Sequence, residues 1–154
     1  MLSKRIAVIG IGNLLLKDEG VGVHIVHALQ EIQLPDNVDI IDGGTSPDIF
    51  YRLEGVDKLI IIDAARAGGE PGAVYRFDQR DIPWEARKVI SLHEVGLLES
   101  LEIMEVIGDR PKQVVIIGIE PKEIDWGLEL SPELEEMVPQ VVGLVLEEIN
   151  RGLN

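Results

Sequence analysis

Short apolar runs alternate along this chain with segments whose apolar residues recur at helical spacing, the pattern of βαβ units around a mostly parallel sheet. Arg5 to Ile11 predicts the first strand. From about Glu19 to Ile32, Val21, Ile25, Val26 and Leu29 fall on one face of a helix. Val38 to Asp42 predicts a second strand ended by Gly43-Gly44, and Ser46 followed by Pro47 predicts a capped short helix to about Glu54. Lys58 to Ala64 predicts a third strand, because Leu59, Ile60, Ile61 and Ile62 are apolar on both faces, as a buried parallel strand requires.

Beyond it, Ala73 to Phe77 alternates and suits an edge strand that can run antiparallel, while Gln79 to Ile90 has no regular pattern. Ser91-Leu92-His93-Glu94 has the spacing of a capping box, opening a helix that turns Leu97, Leu98, Leu101 and Met104 inward. Val114 to Ile119 predicts a fifth strand. Pro139 interrupts the last helical stretch, which predicts one turn from Ser131 and a fresh helix from Pro139 to about Arg151. The expected fold is α/β and three-layer: a twisted, mostly parallel five-stranded sheet flanked by helices on both faces, in a single domain over residues 1–154.

Composition narrows this picture. With 45% hydrophobic but only 4% aromatic residues, the core must be aliphatic. No apolar run approaches the ~18 residues of a membrane span, and Ile6 to Ile9 is too short for a signal-peptide core. The expected location is therefore cytoplasmic, without membrane insertion. The absence of cysteine removes disulfides, thiolate metal sites and a cysteine nucleophile together. A net charge of −14 argues against nucleic acid or an anionic membrane as partner. It is compatible with a basic peptide or a metal ion, although its simplest meaning is solvation.

Ligands of open α/β sheets bind outside the carboxyl ends of the strands. There the first strand leads through Gly10-Ile11-Gly12-Asn13 to Asp18 and Glu19, the second ends in Asp42-Gly43-Gly44-Thr45, and the third ends in Asp63. His93 opens the predicted helix further on. Two carboxylates and an imidazole can hold a divalent metal with a position left open. Taken singly, Asp63 could cap a helix, Glu19 could be a helix-start acid and His93 could be ordinary surface. Spacing alone identifies neither a metal nor a reaction. His93-Glu94 has no second histidine to complete H-E-x-x-H, none of the five serines lies in G-x-S-x-G, and no phosphate-binding G-x-x-x-x-G-K-[ST] occurs. His24 and His27 fall opposite the apolar stripe of their helix and are expected to be solvated.

With these residues assembled, Gly10-Ile11-Gly12-Asn13-Leu14-Leu15-Leu16-Lys17-Asp18-Glu19-Gly20-Val21-Gly22 resembles the opening motif of the hydrogenase maturation endopeptidases. Asp42-Gly43-Gly44-Thr45 is similar to that family's D-G-G-[TS], Ile62-Asp63-Ala64 to its strand-end D-A, and Ser91 to Leu97 to its S-x-H-x-x-x-L. Gly118-Ile119-Glu120-Pro121 resembles its G-[IV]-x-P. The resemblance implies cleavage of the C-terminal extension from the nickel-loaded large subunit of a [NiFe] hydrogenase. It also implies that Glu19, Asp63 and His93 contact metal, with the nickel carried by the precursor. Asp42 is a further candidate, for substrate positioning or proton transfer, or simply as a cap for the helix after Ser46. Two rivals share parts of the pattern. A dinucleotide-binding module would use Gly10-x-Gly12 and Asp42, but Leu15 stands where its third glycine belongs. A non-catalytic nickel chaperone or scaffold would use the same three ligands.

Overall fold

The computed structural model describes residues 4–45, 53–78 and 111–151. In chain order these form β1 (Ile6–Ile11), a 3₁₀ turn (Lys17–Gly20), α1 (Val21–Gln30), β2 (Val38–Gly44), β3 (Lys58–Ala64), β4 (Val74–Asp78), β5 (Gln113–Ile119) and α2 (Pro132–Arg151). The sheet order is β2-β1-β3-β5-β4, parallel throughout except for β4, which pairs antiparallel on the outer side of β5. Every residue of β1, β3 and β5 is buried, which is why these strands are apolar on both faces.

Side-chain alternation divides the core in two. Val8, Ile60, Ile62, Val115 and Ile117 pack against Ile25 and Leu29 of α1 and Val141 and Val145 of α2. Ala7, Ile9, Leu59, Ile61, Val114 and Ile116 turn to the opposite face, joined by Ile41, Leu53 and Val56. Both described helices thus lie on one face of the sheet. The helices expected over 46–54 and 91–104 fall outside the described residues, apart from Leu53 and Glu54, which lead into a turn.

One expected break is not there. The helix α2 runs without interruption through Pro139. Proline lacks the N–H that would bond the Glu135 carbonyl, but both residues are exposed, so water can take up the freed group. Leu134, Val141, Val145 and Ile149 are buried along the opposite side and hold the two halves as one helix. Its start follows the expected chemistry: Ser131 precedes Pro132, and its carbonyl accepts from the amides of Leu134 and Glu135 at 3.1 and 2.9 Å.

Candidate functional site

At the carboxyl edge, β1 passes directly into a turn that is folded back over it. Gly12 has φ 141°, and a Cβ there would lie 2.0 Å from the Glu19 carbonyl oxygen. A Cβ on Gly22 would lie 2.1 Å from the Ile62 carbonyl oxygen and 2.6 Å from that of Ile11. The glycines of the opening motif therefore let α1 and the turn before it settle onto the ends of β1 and β3. The space over Gly12 is filled by the chain's own backbone, so this loop does not form the open cradle that a pyrophosphate would occupy.

Asp18 fixes that turn. Its side chain is fully buried, and its carboxylate accepts from the backbone amides of Lys122 (2.9 Å), Glu123 (2.8 Å) and Ser131 (2.8 Å), and from the Ser131 hydroxyl (2.8 Å). Four donors satisfy a charge that would otherwise be costly to bury. Around it the Lys17 amide donates to the Gly127 carbonyl at 3.0 Å, the Gly127 amide donates to the Leu15 carbonyl at 2.9 Å, and Lys17 Nζ pairs with Glu123 at 2.9 Å. Glu19, the next residue, is half-buried, in a turn packed against β3.

Asp63 is the penultimate residue of β3 and only 3% exposed. One carboxylate oxygen accepts from the Ala64 amide at 2.8 Å. By alternation it shares a face with Leu59 and Ile61, and its partner in register on β5 is Gly118, which has no side chain to crowd it. Asp42 is placed differently. It follows Ile41, which faces the Leu59 side, so Asp42 turns towards α1, where His27 Nε2 meets its carboxylate at 3.0 Å. Asp42 and Asp63 thus lie near one sheet edge, on strands separated by β1, and point to opposite faces. His93 lies outside the described residues. Among those described, no group of three or more His, Asp or Glu is placed to hold a metal ion.

Residues that composition and spacing did not single out shape the edge as well. Glu120 is buried and one of its oxygens accepts from the Ala67 amide (2.9 Å), the Gly69 amide (2.9 Å) and the Tyr75 hydroxyl (2.7 Å). It thereby ties down the loop that leaves Asp63. Burial pushes its carboxyl pKa up, but the three hydrogen bonds and the charge of Arg66 prevail and hold it below the usual value. Tyr75 is shifted the other way, by burial and by the Glu120 carboxylate. His24 is half-buried rather than solvated: it lines a groove with Leu128, Glu129, Leu130, Pro132 and Glu135, and burial lowers its pKa. The motif marks Asp18, but no local signal reveals the partners of Asp18 or Glu120, which lie 104 to 113 and 45 to 53 residues away.

Comparison with known proteins agrees with this arrangement. The hydrogenase maturation protease family matches residues 23–148. The hydrogenase 2 maturation protease of Escherichia coli is 36% identical over 151 residues, which is 96% of this chain and 92% of that protein. The hydrogenase expression/formation protein HupD of Thiocapsa roseopersicina is 38% identical over 93% of this chain, which spans 66% of HupD. Among solved structures, the hydrogenase maturating endopeptidase HybD from E. coli superposes with a TM-score of 0.85 at 33% identity, covering 96% of this chain and 93% of its own. Sequence and fold agree, and this chain belongs to the hydrogenase maturation protease family.

Proposed function

We propose that this chain is an endopeptidase that removes the C-terminal extension of a [NiFe] hydrogenase large-subunit precursor, and that Glu19, Asp63 and His93 face the nickel which that precursor carries. The observation that carries the reading is the placement of Asp63: a carboxylate nearly excluded from solvent, at the carboxyl end of a central strand, beside the turn that bears Glu19. The carboxyl ends of the strands are where open α/β sheets place the groups that meet a ligand. Carboxylate oxygens and an imidazole nitrogen are suitable donors for a borderline divalent ion. The nickel belongs to the substrate, so contact with it makes metal loading the condition for productive docking. Bound there, it can polarise the scissile carbonyl or the attacking water. Without a cysteine in the chain or a serine in a nucleophile elbow, water is the attacking group. Asp42, paired with His27 on the other face, steadies β2 against α1 in this reading and takes no proton from the substrate.

The test is cleavage of purified precursor with and without nickel. Wild type should shorten the loaded form and spare the empty one. Glu19→Gln, Asp63→Asn and His93→Ala should each slow cleavage by about a hundredfold or more, with thermal midpoints near that of wild type. Equal processing of loaded and empty precursor would remove nickel as the recognition signal. An active Asp63→Asn would remove Asp63 from the site.

A further inference from the structure

Four large hydrophobic side chains are exposed among the described residues, and three of them share one place. Leu15 is 53%, Trp126 76% and Leu128 65% exposed, whereas Ile32, at 38%, lies beyond the far end of α1. A backbone bridge between Leu16 and Gly127 sets the 15–17 and 126–128 segments side by side. Next to Trp126, Gly127 exchanges backbone hydrogen bonds with Leu15 and Lys17 at 2.9 and 3.0 Å, so the loop that carries the indole is tied to the turn after β1. Leu128 continues into the groove that holds His24, whose Nε2 is buried and meets no hydrogen-bond partner. Acids are in excess on the rim: Asp125, Glu129 and Glu135 are all exposed around it, and the one lysine beside Gly127, Lys17, is paired with Glu123.

An exposed aromatic side chain beside a groove, with acidic charge in excess around it, is the form of a protein-docking surface. We propose that the Leu15–Trp126–Leu128 patch docks the large-subunit precursor outside the scissile segment, taking apolar side chains flanked by Lys or Arg. Charge complementarity favours that occupant. An acidic rim on a chain of net charge −14 repels a second copy of itself and attracts a basic partner. Position favours it too, since Asp18 joins the patch loop to the turn carrying Glu19, so a partner seated on the patch is held at the same sheet edge. This inference rests on the proposed function for the identity of the partner.

The experiment compares precursor processing and precursor binding for wild type, Trp126→Ser, Leu128→Ser and the double variant, with Ile32→Ser as the control. KM should rise by about tenfold or more in the double variant, the loss falling on KM rather than kcat. Affinity measured without turnover should fall in parallel, and Ile32→Ser should match wild type. Raising the salt concentration should weaken the wild-type interaction. An unchanged KM and affinity in the double variant would overturn the proposal. So would sedimentation showing that wild type self-associates through the patch and that Trp126→Ser abolishes the dimer. If wild type binds precursor through the patch but never cleaves it, the docking surface stands and the proposed function falls.

Discussion

Asp18 and Glu19 are adjacent acids in one turn with opposite tasks. Asp18 is enclosed and spends its whole carboxylate on backbone and hydroxyl donors, while Glu19 is left half-buried at the edge. Asp18→Asn puts an NH₂ donor against groups that are themselves donors. The expected loss is about 2–4 kcal/mol, since hydrogen bonds to a charged acceptor contribute roughly 1.5–3 kcal/mol and a buried donor left unsatisfied costs a further part. Urea denaturation measures it. A loss below ~1 kcal/mol would mean that the neighbouring backbone hydrogen bonds suffice to hold the turn. Processing separates the two residues, because Glu19→Gln should lose cleavage of the loaded precursor by more than any change in its unfolding midpoint accounts for.

Among the elements, α2 carries the plainest conflict between local and tertiary preference. Proline inside a helix costs up to ~3 kcal/mol relative to alanine, and Pro139 is exposed with no packing to compensate. Pro139→Ala should therefore raise stability by about 1–3 kcal/mol, read as a shift in unfolding midpoint without loss of helix signal. No gain would mean that the helix is already bent to fit the sheet and cannot use the restored hydrogen bond. The same conflict explains what was legible in the sequence. Strand β3 occupies the span its unbroken apolar run indicated, because burial on both faces leaves no competing signal. The start of α1 was placed early, at Glu19, because Lys17, with φ 49°, and the 3₁₀ turn come before the helix at Val21. His24 was read as solvated because a one-stripe view of α1 does not include the loop at Leu128 that covers its other side. Asp63 and Glu19 stood out because they close strands or turns in sequence. Asp18 stood beside Glu19 in the same motif, but its role, like that of Glu120, lies in contacts across the chain.

For the whole molecule, acid should act in one direction. Burial holds the His24 pKa below 6.5, so the folded form prefers neutral imidazole. Its stabilising effect is complete above 6.5 and is lost as pH falls from there through the folded value. Glu148, 3% exposed, holds buried Lys58 at 3.0 Å and also pairs with Arg76 and Arg151. Burial raises its pKa, but the hydrogen bonds and charges of Arg76 and Lys58 outweigh that, as the donors around Glu120 do there. Both carboxyls therefore stabilise the fold above the ordinary 4.5 and cease to do so as pH drops through their lower folded values. Unfolding free energy should decline below 6.5 and more steeply below 4.5. Glu148→Gln should flatten the lower limb and cost about 3–5 kcal/mol at neutral pH, because it takes the carboxylate from a buried lysine. An unaltered acid limb in that variant would place the titration elsewhere.

The Asp18 contacts also impose an order in time. They join residue 18 to residues 122, 123 and 131, so the turn bearing Glu19 is completed only when the segment between β5 and α2 has been made. Closing so long a loop is slow compared with forming α1, which needs only its own neighbours and the strands beside it. A nascent chain that has made β1, β2 and β3 already contains the turn but lacks the donors that enclose Asp18. The turn therefore stays open through the synthesis of more than a hundred residues, and closes only when the donors at 122, 123 and 131 exist.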